Sequence, residues 1–107
     1  MKLTIILSTK HAETNWNALR LANLALTKGD TVTIFLTGEG VEYENGSSSQ
    51  FNIREQVEKF LQSKKSKIIA CGTCMSIRKQ GITQECPAGG IEDLYSLVVK
   101  SDKILTF

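Results

Sequence analysis

Two cysteines three positions apart are the residues of this sequence best suited to chemistry. Cys71 and Cys74 enclose Gly72 and Thr73 at the end of an apolar segment, and Arg78 follows one helical turn later. If a helix begins after Cys71, Cys74 lies in its first turn, where free backbone N–H groups and the helix dipole favour a thiolate. We therefore predict that Cys74 is a nucleophile, supported by these N–H groups and by Arg78. Cys71 is then either a second reactive thiol or a packed residue at a strand end.

The third cysteine, Cys86, has a different setting. It precedes Pro87, the only proline, and two glycines separate it from the next predicted helix. Nothing in the local sequence stabilises its thiolate, and the neighbouring Glu85 would raise its pKa by like-charge repulsion. We therefore predict that Cys86 is dispensable for chemistry at Cys74.

The spacing of the cysteines raises two further possibilities, a zinc site and a dithiol–disulfide oxidoreductase. A structural zinc site takes four ligands, and here the fourth would have to be the distant His11, which we expect to be solvated at the start of the first helix. We therefore predict no metal, and no other cofactor. A CxxC pair between a strand and a helix is also the thioredoxin arrangement, although this pair follows the third strand and Pro87 is not placed as a cis-proline partner. A dithiol–disulfide oxidoreductase remains an alternative.

The hydrophobic periodicity predicts five strands that alternate with four helices. This order is typical of a three-layer α/β/α sandwich around a five-stranded parallel sheet. The predicted strands cover residues 2–7, 31–36, 67–71, 82–86 and 102–106, and the predicted helices cover residues 12–28, 52–63, 73–80 and 91–100. In the last helix, we expect Ile91, Leu94, Leu97 and Val98 to point inward.

The carboxyl ends of parallel strands meet at one edge of a sheet, and ligands and chemistry in such sheets lie at that edge. Four loops leave the predicted strands there, at residues 8–11, 37–40, 71–74 and 85–86. We therefore expect the reactive cysteines to lie among polar residues from several loops.

Length and composition exclude several classes of protein. The chain has 107 residues, 41% of them apolar and 22% charged, with a net charge of +2. This fits one globular domain over residues 1–107 and argues against a nucleic-acid-binding protein. The apolar runs are too short to cross a membrane, and the first strand does not resemble a signal peptide. We expect a cytoplasmic protein that binds neither nucleic acid nor membrane.

The segment 37–51 is long for a loop in a small domain and contains Val41, Tyr43 and Phe51 among polar residues. Exposed apolar residues in a loop often mark an interface. We therefore expect a homo-oligomer, with burial of these side chains in their own protomer as the alternative.

Several segments together resemble the DsrE/DsrF/TusD-like sulfur-relay family. The more specific ones are Ala70-Cys71-Gly72-Thr73-Cys74 with Arg78, and the ending from Leu94-Tyr95 through Ser101-Asp102-Lys103-Ile104-Leu105-Thr106-Phe107. Lys28-Gly29-Asp30 and the stretch from Phe35 to Val41 also match. The sequence is similar to the small single-domain members over nearly its whole length.

The resemblance implies a DsrEFH-like fold, homo- or hetero-oligomers, and a cysteine after the third strand that carries sulfur as a persulfide. We assign this role to Cys74, with Cys71 as the second candidate. The expected function is that of a sulfur carrier or sulfurtransferase that takes sulfane sulfur from a donor protein or a small sulfane-sulfur compound and passes it to an acceptor. Alternatives are a non-catalytic oligomeric binding module with passive cysteines, and the dithiol oxidoreductase described above.

Overall fold

A parallel β-sheet forms the centre of the molecule. In a computed structural model that describes residues 1–79 and 87–107, five strands pair in the order β4-β3-β2-β1-β5. All four strand pairings are parallel, as predicted. The strands are β1 (Lys2–Leu7), β2 (Thr31–Leu36), β3 (Ser66–Cys71), β4 (Ala88–Gly89) and β5 (Lys103–Thr106).

Four α-helices connect these strands, and the predicted α/β/α architecture is confirmed. The helices are α1 (Ala12–Thr27), α2 (Ile53–Leu61), α3 (Gly72–Ile77) and α4 (Ile91–Lys100). Their ends lie within a few residues of the predicted ones. The strand predicted over residues 82–86 lies outside the described residues, whereas β4 occupies two residues that we predicted as a connection to α4.

Local capping interactions explain where the first two helices begin and end. His11 is exposed at the start of α1, and its Nδ1 accepts the backbone N–H of Thr14 at 3.4 Å. Asn52 caps α2, because its Oδ1 accepts the N–H of Glu55 at 3.1 Å. Gly29 follows α1 with a φ of +90°, a left-handed conformation that glycine adopts without steric cost.

The main hydrophobic core lies between the sheet and helices α1 and α2. Alternate residues of the three central strands point into it, and alanines of α1 allow that helix to pack closely on the sheet. Its fully buried side chains include Ile5, Leu7, Leu19, Ile34, Leu36, Ile53, Phe60 and Ile68.

The other face of the sheet is covered much less completely. The chain returns from β4 to β5 past the other strands, so a right-handed crossover places α4 on the face opposite α1 and α2. No residue of α4 is buried, and all four residues of β5 are exposed. The expectation that Ile91 and Val98 point inward is therefore wrong, since they are 76% and 46% exposed. Among the described residues, no helix is long and apolar enough to cross a membrane.

The segment between β2 and α2 is ordered against its own protomer. It begins with a 3₁₀ helix, Gly38–Glu42, and Val41 and Tyr43 are buried. The Phe51 ring lies 5.5 Å from the Trp16 ring of α1, measured between centroids. Val41 and Tyr43 therefore belong to the protomer's own core, and Phe51, which is partly exposed, packs on Trp16, so that these side chains do not form the exposed apolar surface expected from the sequence.

The 3₁₀ helix approaches the end of β1 so closely that only glycine fits at position 40. A Cβ atom there would lie 1.9 Å from the carbonyl oxygen of Leu7 and 2.5 Å from its carbonyl carbon. Both are backbone atoms of a central strand, which cannot move aside without disturbing the sheet.

We expect Gly40→Ala to lower the free energy of unfolding by about 1–3 kcal/mol, because the methyl group overpacks this contact. Urea denaturation followed by circular dichroism measures the change. Gly72→Ala is the matched control, since its Cβ would meet no atom closer than 3.6 Å and we expect little loss of stability. Equal stability of the two variants would contradict the described packing.

Candidate functional site

The pairing of β2 with β3 brings two of the expected loops together. Leu36 is paired with Ala70, so that both strands end at the same level of the sheet. Thr37 and Gly38 therefore leave β2 beside the turn in which Cys71 leads into α3. The sequence predicts that the loops after β2 and β3 lie at this edge, and the structure confirms that they meet.

Hydrogen-bond donors surround the sulfur of Cys74. The backbone N–H of Gly38 lies 3.2 Å from Cys74 Sγ, and the Thr37 hydroxyl oxygen lies 3.9 Å from it. Gly38 has a φ of +55°, a left-handed conformation that suits glycine.

These contacts lower the pKa of Cys74 below the ordinary value of a cysteine. The largest cause is the hydrogen bond from the Cys71 thiol, and the Gly38 N–H comes next. The Thr37 hydroxyl and the charge of Arg78 contribute in the same direction, while partial burial opposes them. Each donor stabilises the thiolate more than the thiol, so the site favours the nucleophilic form.

Cys71 has the opposite tendency. Burial raises the pKa of its thiol, and the adjacent Cys74 sulfur raises it further. The N–H groups of Cys74 and Thr73 oppose this rise without cancelling it. Both thiols are free and partly exposed. When one of them loses its proton, the charge therefore resides on Cys74 while Cys71 keeps its proton and donates it in a hydrogen bond.

Arg78 is placed near Cys74, as the spacing suggested, but its guanidinium group is engaged elsewhere. Its Nε lies 2.8 Å from Glu42 Oε1, and its terminal N–H donates to the carbonyl oxygen of Cys74 at 3.2 Å. Arg78 thus joins the end of α3 to the 3₁₀ helix. Its positive charge is largely balanced by Glu42, which explains why it lowers the pKa of Cys74 less than the direct donors do.

The sequence did not indicate which residues surround the thiolate. We expected its stabilisation from Arg78 and from the N–H groups in the first turn of α3, which contains Gly72 and Thr73. In the structure the Gly38 N–H donates to Cys74 Sγ, and the Thr37 hydroxyl oxygen lies 3.9 Å from it. The only signal for them was the polar Thr-Gly-Glu-Gly stretch after β2. Glu42 gave no signal, because its role depends on the tertiary contact with Arg78.

The remaining expected residues lie apart from this sulfur or outside the described residues. His11 caps α1, and Lys10 Nζ lies 3.6 Å from Glu39 Oε2 at the exposed edge. In residues 1–79 and 87–107 no group of three histidine, cysteine or acidic side chains could hold a metal ion. Glu85 and Cys86 fall between these ranges.

Comparison with known proteins identifies the family. A model of the DsrE/DsrF-like family matches residues 1–107. The chain belongs to the DsrE/DsrF-like family. Among solved structures, the chain is similar to the YchN protein of E. coli, with a TM-score of 0.78, 23% sequence identity and full coverage of both chains. No curated protein sequence matches the chain as a relative. The structural likeness confirms the five-stranded α/β fold, and membership of the family supports a role of the sulfur-relay type.

We expect Cys74 to be alkylated by iodoacetamide at lower pH than a free cysteine, because its lowered pKa leaves it as a thiolate. Peptide mass spectrometry across a pH series measures the rate at each cysteine. Cys71→Ala should slow alkylation of Cys74 near neutral pH several-fold, since it removes the strongest donor. Thr37→Val should have a smaller effect in the same direction.

Cys71→Ser is the matched control, because a serine hydroxyl still donates a hydrogen bond to the Cys74 sulfur. This variant should keep Cys74 reactive near neutral pH. Faster labelling of Cys71 than of Cys74 in the unmodified protein would contradict the described site.

Proposed function

We propose that this protein accepts sulfane sulfur on Cys74 as a persulfide and passes it to an acceptor thiol. The observation that supports the proposal best is the set of donors around Cys74 Sγ, from Gly38, Thr37 and Cys71. They favour the thiolate without a metal or a paired histidine, and a thiolate is what attack on a sulfane sulfur requires. Family membership supports the same kind of role.

Cys74 takes up sulfur by a nucleophilic displacement at a sulfur atom of the donor. With thiosulfate as donor, the Cys74 thiolate attacks the outer sulfur, the bond between the two donor sulfurs breaks, and sulfite leaves with the bond's electron pair. The product is a Cys74 persulfide anion. A donor protein that carries a persulfide would react in the same way and leave as its own thiolate.

Release to an acceptor makes use of the same lowered pKa. The acceptor thiolate attacks the outer sulfur of the persulfide, and Cys74 leaves as a thiolate. Thiols of lower pKa leave faster in such exchanges. The donors around Cys74 therefore assist both the attack and the release. We place this exchange in a reducing compartment, the cytoplasm, where free thiols such as Cys71 and Cys74 persist.

We expect the reduced protein to gain the mass of one sulfur atom when it is incubated with thiosulfate or polysulfide. A reductant should remove this mass again. Cys74→Ser should not gain it, whereas Cys86→Ser should, because Cys86 has no predicted thiolate-stabilising surroundings. Intact mass spectrometry followed by peptide mapping measures the gain and its position.

Two other results would replace the proposal with an alternative function. Formation of a disulfide with neither a transient gain of sulfur nor release of sulfide would indicate a dithiol oxidoreductase, and no change in mass would indicate a binding module with passive cysteines. Loss of loading in Cys86→Ser would show that the third cysteine takes part.

We also propose that the protein assembles with further copies of itself through α4 and β5. Parallel sheets are normally covered on both faces, whereas here the face of α4 leaves a large apolar surface open. Its exposed side chains include Ile91, Tyr95, Val98 and Val99 of α4 and Ile104 of β5. The resemblance to oligomeric family members favours a second copy of this chain as the occupant.

We expect the protein to sediment as a particle larger than its 11.8 kDa monomer at micromolar concentration. Val99→Lys should shift it toward the monomer without loss of helix signal, because Val99 is 63% exposed in the protomer. Leu24→Lys is the matched control, since Leu24 of α1 is 54% exposed on the other side of the sheet and should not affect assembly. A monomeric unmodified protein would contradict this proposal.

A further inference from the structure

We propose that Cys71 is a resolving thiol that discharges the sulfur from Cys74 as sulfide and closes a Cys71–Cys74 disulfide. This inference rests on the proposed function, because it needs a persulfide on Cys74. It adds a second fate for the bound sulfur. An acceptor takes the sulfur as sulfane sulfur, whereas Cys71 reduces it to sulfide when no acceptor reacts first.

The placement of the two cysteines on α3 supports this step. Cys71 is the N-cap residue and Cys74 is the third residue of the helix. Residues three apart on a helical turn have Cβ atoms about 5–6 Å apart, and disulfides join Cβ atoms about 3.5–4.5 Å apart. A small shift of the backbone at Cys71 would close this gap, and Cys71 is the last residue of β3, where the chain turns into α3.

The exposure of Cys71 argues against a purely structural role. The two preceding strand residues, Ile69 and Ala70, are buried, whereas Cys71 is partly exposed and is the N-cap of the helix that carries Cys74. A cysteine that served only to fill the core would be expected among the buried residues. The chain instead leaves this thiol on the same helical turn as the reactive sulfur and partly accessible at the edge of the sheet.

The step balances without an outside oxidant or reductant. The Cys71 sulfur attacks the inner sulfur of the Cys74 persulfide anion, a new bond forms between the two cysteine sulfurs, and the bond to the outer sulfur breaks. The outer sulfur leaves with the electron pair and takes the proton of Cys71, so that hydrosulfide is released. The two cysteines are oxidised to a disulfide, and the sulfane sulfur is reduced by two electrons. A dithiol reductant is needed only to open the disulfide for another cycle.

The different acidities of the two thiols set the order of events. Because its pKa is raised, Cys71 remains a thiol while the Cys74 thiolate attacks the donor. A thiol of higher pKa gives a stronger nucleophile once its proton leaves, and here the departing sulfide is the proton acceptor. The pair therefore loads at Cys74 first and discharges through Cys71 second.

A single-turnover experiment tests the inference. All proteins carry Cys86→Ser, so that the third cysteine cannot take part. The protein is reduced, freed of reductant, loaded with thiosulfate, separated from excess donor and followed by intact mass spectrometry and a sulfide assay. The parent should lose its added sulfur as sulfide and become two hydrogens lighter than the reduced protein, in equal amounts. Cys71→Ser is incubated with thiosulfate until its mass gain is complete, and it should then keep its sulfur about tenfold longer or more, since its hydroxyl cannot form a disulfide.

Several outcomes would overturn the inference. If the parent and Cys71→Ser keep their sulfur equally long, or if sulfide appears without an intramolecular disulfide, Cys71 is not a resolving thiol although the proposed sulfur loading stands. A disulfide between two chains, seen on a non-reducing gel of dilute protein, would also count against it. Absence of loading in both proteins would instead contradict the proposed function itself.

Discussion

The parallel pairing of β2 with β3 is the constraint on which the cysteine site depends. Since Leu36 lies opposite Ala70, the loop after β2 passes directly beside the first turn of α3. Gly38 can then turn its N–H to the Cys74 sulfur, and the close packing of Gly40 on the Leu7 carbonyl holds the loop in place. The backbones of three strands thus determine the surroundings of one sulfur atom. A shift of either strand by one residue would remove these donors.

The thiolate of Cys74 is stabilised by short-range hydrogen bonds and only weakly by net charge. The nearest cation, Arg78, is paired with Glu42, so that the positive charge near the sulfur is largely balanced. Direct hydrogen bonds in a partly buried site are screened by salt much less than exposed charges are. The arrangement lowers the pKa of Cys74 through donors that touch its sulfur. In the proposed function, the donor and the acceptor thiolate both react at this site.

The two faces of the sheet differ in how completely helices cover them, and the cysteine site lies at the carboxyl edge of the sheet. The face of α1 and α2 forms a closed hydrophobic core, which also takes up Val41 and Tyr43 of the loop beside the site. The face of α4 is thinly covered and leaves its apolar side chains exposed. Cys71 and Cys74 lie at the carboxyl end of β3, beside the end of β2. The proposed self-association through α4 would cover the face opposite α1 and α2.

The sequence alone determined the order of strands and helices and the caps at Asn52 and Gly29. It also determined that Cys71 and Cys74 lie where β3 leads into α3. These features depend on local periodicity and on neighbouring residues. It also indicated that the loops after β2 and β3 share one edge, since parallel strands end together. It could not show that Gly38 and Thr37 donate to Cys74, that Glu42 engages Arg78, or that Val41 is buried while Ile91 is exposed. Those features join residues far apart in the chain, or depend on which face of an element has a partner. Only the register of the sheet and the packing of the helices upon it decide them.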